Sequence, residues 1–148
     1  MKLLYLLSGA LLSMTGMSYP FLSADNFSPV PLPPPENWLA GPRLFPQNVI
    51  AGFHADYDKY NAKSWSEYVE KKCKEFHACT STHSFSAINS GTPKDRYWFG
   101  YVFRGGPTTP DDYQRSWDPQ SAVKDSIALT INEEDDGNNI MRLQTELK

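Results

Sequence analysis

The stretch Ser64-Trp65-Ser66-Glu67-Tyr68-Val69-Glu70-Lys71-Lys72-Cys73-Lys74-Glu75-Phe76, followed shortly by Cys79, sets the architecture. Ser64 and Glu67 have the S-x-x-E spacing of a capping box, in which each side chain satisfies a free backbone N–H of the first turn. Trp65, Tyr68, Val69, Cys73 and Phe76 recur at helical spacing, while Lys63, Glu70, Lys71 and Lys74 fall elsewhere on the turn. This pattern predicts an amphipathic helix over residues 64–76 with an aromatic-rich core face. Cys73 and Cys79 are the only two cysteines of the chain. On an unbroken helix they would stand about 9 Å apart along the axis and on different faces. A disulfide needs Cα atoms within about 7 Å. A bond between them therefore requires the helix to stop near Phe76 or His77 and Cys79 to open the next element. The alternative, a redox or catalytic thiol pair, lacks the C-x-x-C spacing.

Strand signals follow the helix. Ser84–Ile88 is short and mixed. In Tyr97-Trp98-Phe99-Gly100-Tyr101-Val102-Phe103, period-two alternation puts Tyr97, Phe99, Tyr101 and Phe103 on one face and Trp98, Gly100 and Val102 on the other. Residues 126–131 alternate with Ile127, Leu129 and Ile131 inward and Ser126, Ala128 and Thr130 outward, and Val49–Phe53 is a further candidate. Gly105-Gly106-Pro107 marks a turn. Thr109-Pro110-Asp111-Asp112 has the form of a helix start, with Thr109 as cap and two acids at the positive end of the dipole. One helix on a small antiparallel sheet, an α+β domain over residues 48–131, is the economical architecture.

Upstream, Met1-Lys2 precedes an apolar run from Leu3 to Leu12 that breaks at Ser13, the layout of a secretory signal peptide. A membrane span needs about 20 apolar residues, so no stable membrane insertion is expected. Cleavage is expected after Ser18, with Ala24 a weaker alternative, giving a signal peptide over residues 1–18 and a secreted, extracellular protein. In that route Asn26-Phe27-Ser28 is a glycosylation acceptor at Asn26. The same oxidising compartment favours pairing of Cys73 with Cys79. Eight of the twelve prolines lie between Pro20 and Pro46. Proline lacks a backbone donor and fixes φ, so residues 19–47 are expected to form an extended arm. Trp38, Leu39, Leu44 and Phe45 could lay part of it on the domain. The tail over residues 132–148 opens with Glu133, Glu134, Asp135 and Asp136 and is expected to be solvated and mobile.

The 148 residues amount to one domain, and 40% hydrophobic against 21% charged residues argues against global disorder. A formal net charge of −3 provides no basic stripe, so no nucleic-acid partner is expected. No G-x-S-x-G elbow, phosphate loop or H-E-x-x-H pattern is present. His77, Cys79 and His83 match no standard zinc spacing, so neither metal nor other cofactor is expected. Adjacent Asp111 and Asp112 are poorly placed to flank a scissile glycosidic bond, because the two carboxyls must stand about 5 Å or more apart across it. The balance is against an enzyme. Aromatic residues, at 14% of the chain, supply recognition surface as well as core. Trp98 beside Gly100, with Arg104 at the strand end and Tyr113 and Trp117 beyond, forms a candidate ligand-binding patch; the alternative is that Trp98 covers the helix or the arm.

The run from Trp65 to Cys73, then Cys79 and Phe85, and then Tyr97 to Phe103 resembles the PAN/apple-like arrangement in small secreted fungal proteins, over residues 64–131. That resemblance implies a helix tied by a disulfide to a sheet, in a module that binds carbohydrate or protein. The later-strand cysteines of that family are replaced here, with Phe99 or Tyr101 in their region, so no family ligand residue carries over. In length and export signal the chain also resembles host-directed effectors. The resulting expectation is a secreted, non-enzymatic binding protein that contacts a host protein or glycan through Trp98, Arg104 and Tyr113. The alternatives are a small secreted hydrolase using Asp111, Asp112 or His83, and a structural wall or surface protein.

Overall fold

The computed structural model describes residues 27–132. The expected signal peptide, the expected glycosylation acceptor Asn26 and the tail beyond Asn132 lie outside the described residues. The fold is α+β. Strands β1 (Phe27–Pro29), β3 (Val49–Asp56), β4 (Ser81–Ile88), β5 (Arg96–Phe103) and β7 (Lys124–Ile131) form an antiparallel sheet in the order β1-β7-β4-β5-β3. Strands β2 (Trp38–Ala40) and β6 (Tyr113–Arg115) form a separate two-stranded antiparallel ribbon. Among the described residues, no helix is long and apolar enough to cross a membrane.

The one α-helix among the described residues, α1, spans Ala62–Lys74. It starts two residues before the expected position because Asn61, not Ser64, is the cap. The Asn61 Oδ1 accepts from the Ser64 N–H at 2.9 Å, and the Ser64 Oγ accepts from the Asn61 N–H at 3.0 Å. Ser64 is thus the reciprocal member of the box, the role expected for Glu67. Trp65, Val69 and Cys73 are buried against Trp98 and Val102 of β5, with Tyr68 packed beside them. The Trp65 indole N–H donates to the Phe99 carbonyl at 2.9 Å, tying helix to sheet. Gly100 lets the two approach: a Cβ at that position would meet Val69 Cγ2 at 2.3 Å. Phe76, expected on the core face, lies past the helix end and is exposed. The Phe76 and Cys79 N–H groups donate to the carbonyls of Cys73 and Phe76, turning the chain back. This brings the Cα atoms of Cys73 and Cys79 to 5.4 Å, and the two are disulfide-bonded.

Part of the other face of the sheet is covered too, around Phe103 and Ala128. Of the arm expected over residues 19–47, the described part, residues 27–47, is laid along the domain. Val30 and Leu44 are buried with Phe103, Tyr113 and Ala128. A proline run has carbonyls but no backbone donors of its own, and Arg115 supplies donors from across the ribbon. Its guanidinium donates to the carbonyls of Pro33, Pro34 and Pro35 and to Asn37 Oδ1, and it stacks 4.0 Å over the Trp38 ring. Arg43 makes a second clasp. It pairs with Asp112 through two N–H donors and reaches the carbonyls of Gly105 and Pro107. As a consequence Ser126 and Ala128 of β7, expected outward, are buried. Pro110–Asp112, with Thr109 as its cap, forms one turn of 3-10 helix and goes no further.

Candidate functional site

The three residues expected to contact a ligand occupy three separate surroundings. Trp98 is 2% exposed and faces α1; its indole N–H donates to the carbonyls of Tyr57 and Tyr60 at 3.0 and 3.2 Å, and Tyr57 stacks on it at 5.1 Å. A ring so enclosed is no surface platform, and Gly100 beside it serves the approach of the helix. Tyr113 is buried in the opposite cluster, where its hydroxyl pairs with Thr108 Oγ1 at 3.0 Å and burial pushes its phenol up to about 12. Arg104 is exposed just beyond β5, with Nη2 donating to the Gln47 carbonyl at 3.4 Å. Of the residues named for a hydrolase, Asp111 is exposed on the 3-10 turn. The Asp112 carboxylate is held by Arg43 and by the Thr109 N–H at 2.8 Å, which together lower its pKa, whereas His83 is sealed inside the sheet. The sulfur of Cys79, near His77 and His83 in sequence, is bonded to Cys73.

The surface that does assemble is on the face of β5 opposite the helix. Cross-strand register sets Gly52, His54 and Asp56 of β3 beside Tyr101, Phe99 and Tyr97, and Phe85 beside Phe99 from the β4 side. The β3 residues are exposed, the β5 rings half-buried, and the Phe85 ring stacks on Phe99 at 5.7 Å. Two hollows share Tyr97. The first, about 370 Å³, is lined by His54, Asn89, Tyr97 and Phe99. The second, about 390 Å³, is lined by Asp56, Tyr57, Asp58, Asp95, Arg96 and Tyr97. Together they make a trough with aromatic walls, flanked by carboxylates at one end and by imidazole and amide groups at the other. Arg96 is anchored by bonds to Ser86 Oγ and the Ala122 carbonyl at 3.0 and 2.8 Å.

Further along the same face, Leu39, Ala40, Phe45, His83, Phe85 and Tyr101 line a third cavity of about 190 Å³. The Tyr101 ring lies across Gly52, where a Cβ would stand 3.0 Å from Cε1, and Phe45 packs edge-on against it at 5.3 Å. His83 is fully buried, stacked on Phe85 at 5.1 Å, and neither ring nitrogen has a protein partner at hydrogen-bond geometry. Burial holds its pKa down to about 4, against a weaker opposing pull from the Trp38 backbone.

Sequence reasoning grouped Tyr97, Phe99 and Tyr101 on one face but looked for the ligand on the other. The signal that separates the faces is Gly100: the smallest residue on a strand marks where another element comes closest. His54 and Asn89 carry no such signal, because only strand register brings them to Tyr97 and Phe99. No family model, curated protein or solved structure matches this chain.

Proposed function

We propose that this chain is a secreted, non-enzymatic binding protein of the host-directed kind, and that the trough across Tyr97 holds a glycan. The carrying observation is the row of half-buried rings on β5, bordered by exposed polar groups of β3. Half-buried aromatics offer flat apolar area at little ordering cost, the usual basis of a recognition surface. Sugar hydroxyls are donors and acceptors at once, matching the carboxylates of Asp56, Asp58 and Asp95 at one end and His54 and Asn89 at the other. Those carboxylates disfavour a polyanionic glycan. The favoured ligand is therefore a neutral or amino-bearing oligosaccharide long enough to pass Tyr97. The apolar leader, the acceptor tripeptide at Asn26 and the bonded cysteine pair support export.

The test is binding of the purified mature chain to immobilised neutral, amino-bearing and acidic oligosaccharides, with Tyr97→Ala and Phe99→Ala variants checked for folding by circular dichroism. Loss of one stacked ring is expected to weaken binding about tenfold. Retention on no glycan, or retention indifferent to both substitutions, would refute the proposal. Retention of a host protein instead, lost on the same two substitutions, would replace glycan with protein as the ligand of this trough.

A further inference from the structure

We infer that Asn89 is a site of spontaneous covalent modification, where the Ser90 backbone nitrogen displaces the side-chain amide and leaves an aspartyl or isoaspartyl residue in the hollow beside Tyr97. Asparagine is chemically labile where its carboxamide and the next backbone nitrogen can meet, and hydrogen bonds that hold either group disfavour the meeting. The other described asparagines are held. Asn37 and Asn48 donate through Nδ2 to the carbonyls of Ser116 and Arg43, both at 2.8 Å. Asn61 and Asn132 accept through Oδ1 from the Ser64 N–H at 2.9 Å and the Ser28 hydroxyl at 2.6 Å. Neither the Asn89 carboxamide nor the Ser90 N–H has a hydrogen-bond partner among the described residues. The Asn89 side chain also lies over the chain that follows it, since a Cβ at Gly91 would stand 3.1 Å from its Nδ2. The Asn89 N–H donates to the Asp95 carbonyl at 2.9 Å, closing the base of a bend whose residues 90–95 are exposed. Neither Ser90 nor Gly91 brings a branched side chain to crowd the attack.

The chemistry needs only water. The Ser90 nitrogen gives up its proton to solvent and attacks Asn89 Cγ, closing a five-membered imide. The Cγ–Nδ2 bond breaks, and Nδ2 takes up a proton and leaves as ammonia. Water then adds to one of the two imide carbonyls and opens the ring. Opening at Cγ gives aspartate; opening at the backbone carbonyl gives isoaspartate, with the chain running through the former side chain. The sum is one amide and one water converted to one carboxylic acid and one ammonia, with nothing oxidised or reduced. The product has a consequence of place. Asn89 lines the hollow with His54, Tyr97 and Phe99, so a carboxylate replaces a neutral group that both donates and accepts. On the glycan reading, the trough then carries carboxylates at both ends, and its preference moves with the age of the molecule.

The test is to age the full mature chain in mildly alkaline buffer, folded and, in parallel, unfolded in urea. Samples are digested and each asparagine-containing peptide is weighed, with isoaspartate located by enzymatic methyl transfer to its free carboxylate. In the folded chain Asn89 is expected to convert, with isoaspartate among its products, while Asn37, Asn48, Asn61 and Asn132 keep their amides. Folding should slow conversion at those four relative to the unfolded chain and leave Asn89 as fast as in urea. Asn89→Gln, whose attack would have to close a larger ring, should lose the conversion, and as a surface change it should not disturb folding. If folding slows Asn89 as much as it slows the other four, the bend holds the amide after all and the inference falls. Conversion to aspartate alone, with no isoaspartate, would overturn the role of the Ser90 nitrogen. Mapping needs no ligand, so the result stands or falls apart from whether the trough binds a glycan.

Discussion

His83 makes the stability of this fold depend on pH in a way that can be worked out. In the unfolded chain its imidazole has an ordinary pKa near 6.5; in the fold, burial holds it to about 4. A group whose folded pKa is depressed is neutral in the native state at a pH where the unfolded chain already binds a proton. Stability is therefore complete above about pH 6.5 and falls as pH drops toward 4. The slope between those limits is about 1.4 kcal/mol per pH unit, so the whole interval is worth about 3 kcal/mol, of which about 2 is lost by about pH 5. Other groups titrate over the same range, so the useful quantity is a difference between two proteins. His83→Phe keeps an aromatic ring stacked on Phe85 and cannot be protonated. Urea unfolding of both proteins at about pH 7.5 and about pH 5 gives the comparison. The variant is expected to gain about 2 kcal/mol relative to the parent between those two conditions. If the difference between the proteins is the same at both, to within about 0.5 kcal/mol, His83 is not held neutral by burial and the reasoning fails.

Gly100→Ala should cost about 2–3 kcal/mol in urea unfolding, since its Cβ would sit 2.3 Å from Val69 Cγ2 in a close-packed core; a cost below about 0.5 kcal/mol would show that α1 can step back freely. Replacing Cys73 and Cys79 together with serine should lower stability by about 2 kcal/mol, the chain-entropy value for so short a loop, and the parent under reducing conditions should match the variant. Asp112→Asn removes the charged partner of Arg43 while keeping the capped turn, and is expected to cost about 1 kcal/mol, because Arg43 is partly solvated. Its cost should shrink as pH falls through the depressed pKa of Asp112, since the parent loses the same charge on protonation.

What the sequence discloses here is whatever depends on neighbours within a few residues. Trp65, Val69 and Cys73 lie at helical spacing and are buried on α1; Trp98, Gly100 and Val102 alternate and share a face of β5. Even the halt of the helix before Cys79 follows from two cysteines six positions apart. The cap shifted from Ser64 to Asn61 because both residue types can accept the orphan N–H, and local pattern alone does not choose between them. Long-range covering is what the sequence conceals. Ser126 and Ala128 alternate as solvent-facing residues do, and they are buried only because Val30, Leu44 and the Arg115-held prolines come across from the other end of the chain. The hollows around Tyr97 escape the sequence for the same reason, since which part of β5 stays open depends on where α1 and residues 27–47 settle.

The pairing of β1 with β7 has a consequence for the order of events at synthesis. A ribosome releases residues 27–47 well before their partners, Ala128 and the strand ending at Ile131. Until then Val30 lacks the Ala128 carbonyl to which its N–H donates, and the half-made chain carries an unclosed greasy flank. Completion thus waits for β7, and a product that stops short of Lys124 leaves one edge of β4 without its neighbour and β1 without any strand to pair with. Premature termination in this molecule would forfeit more than its missing residues, because the opening segment would lose its seat as well.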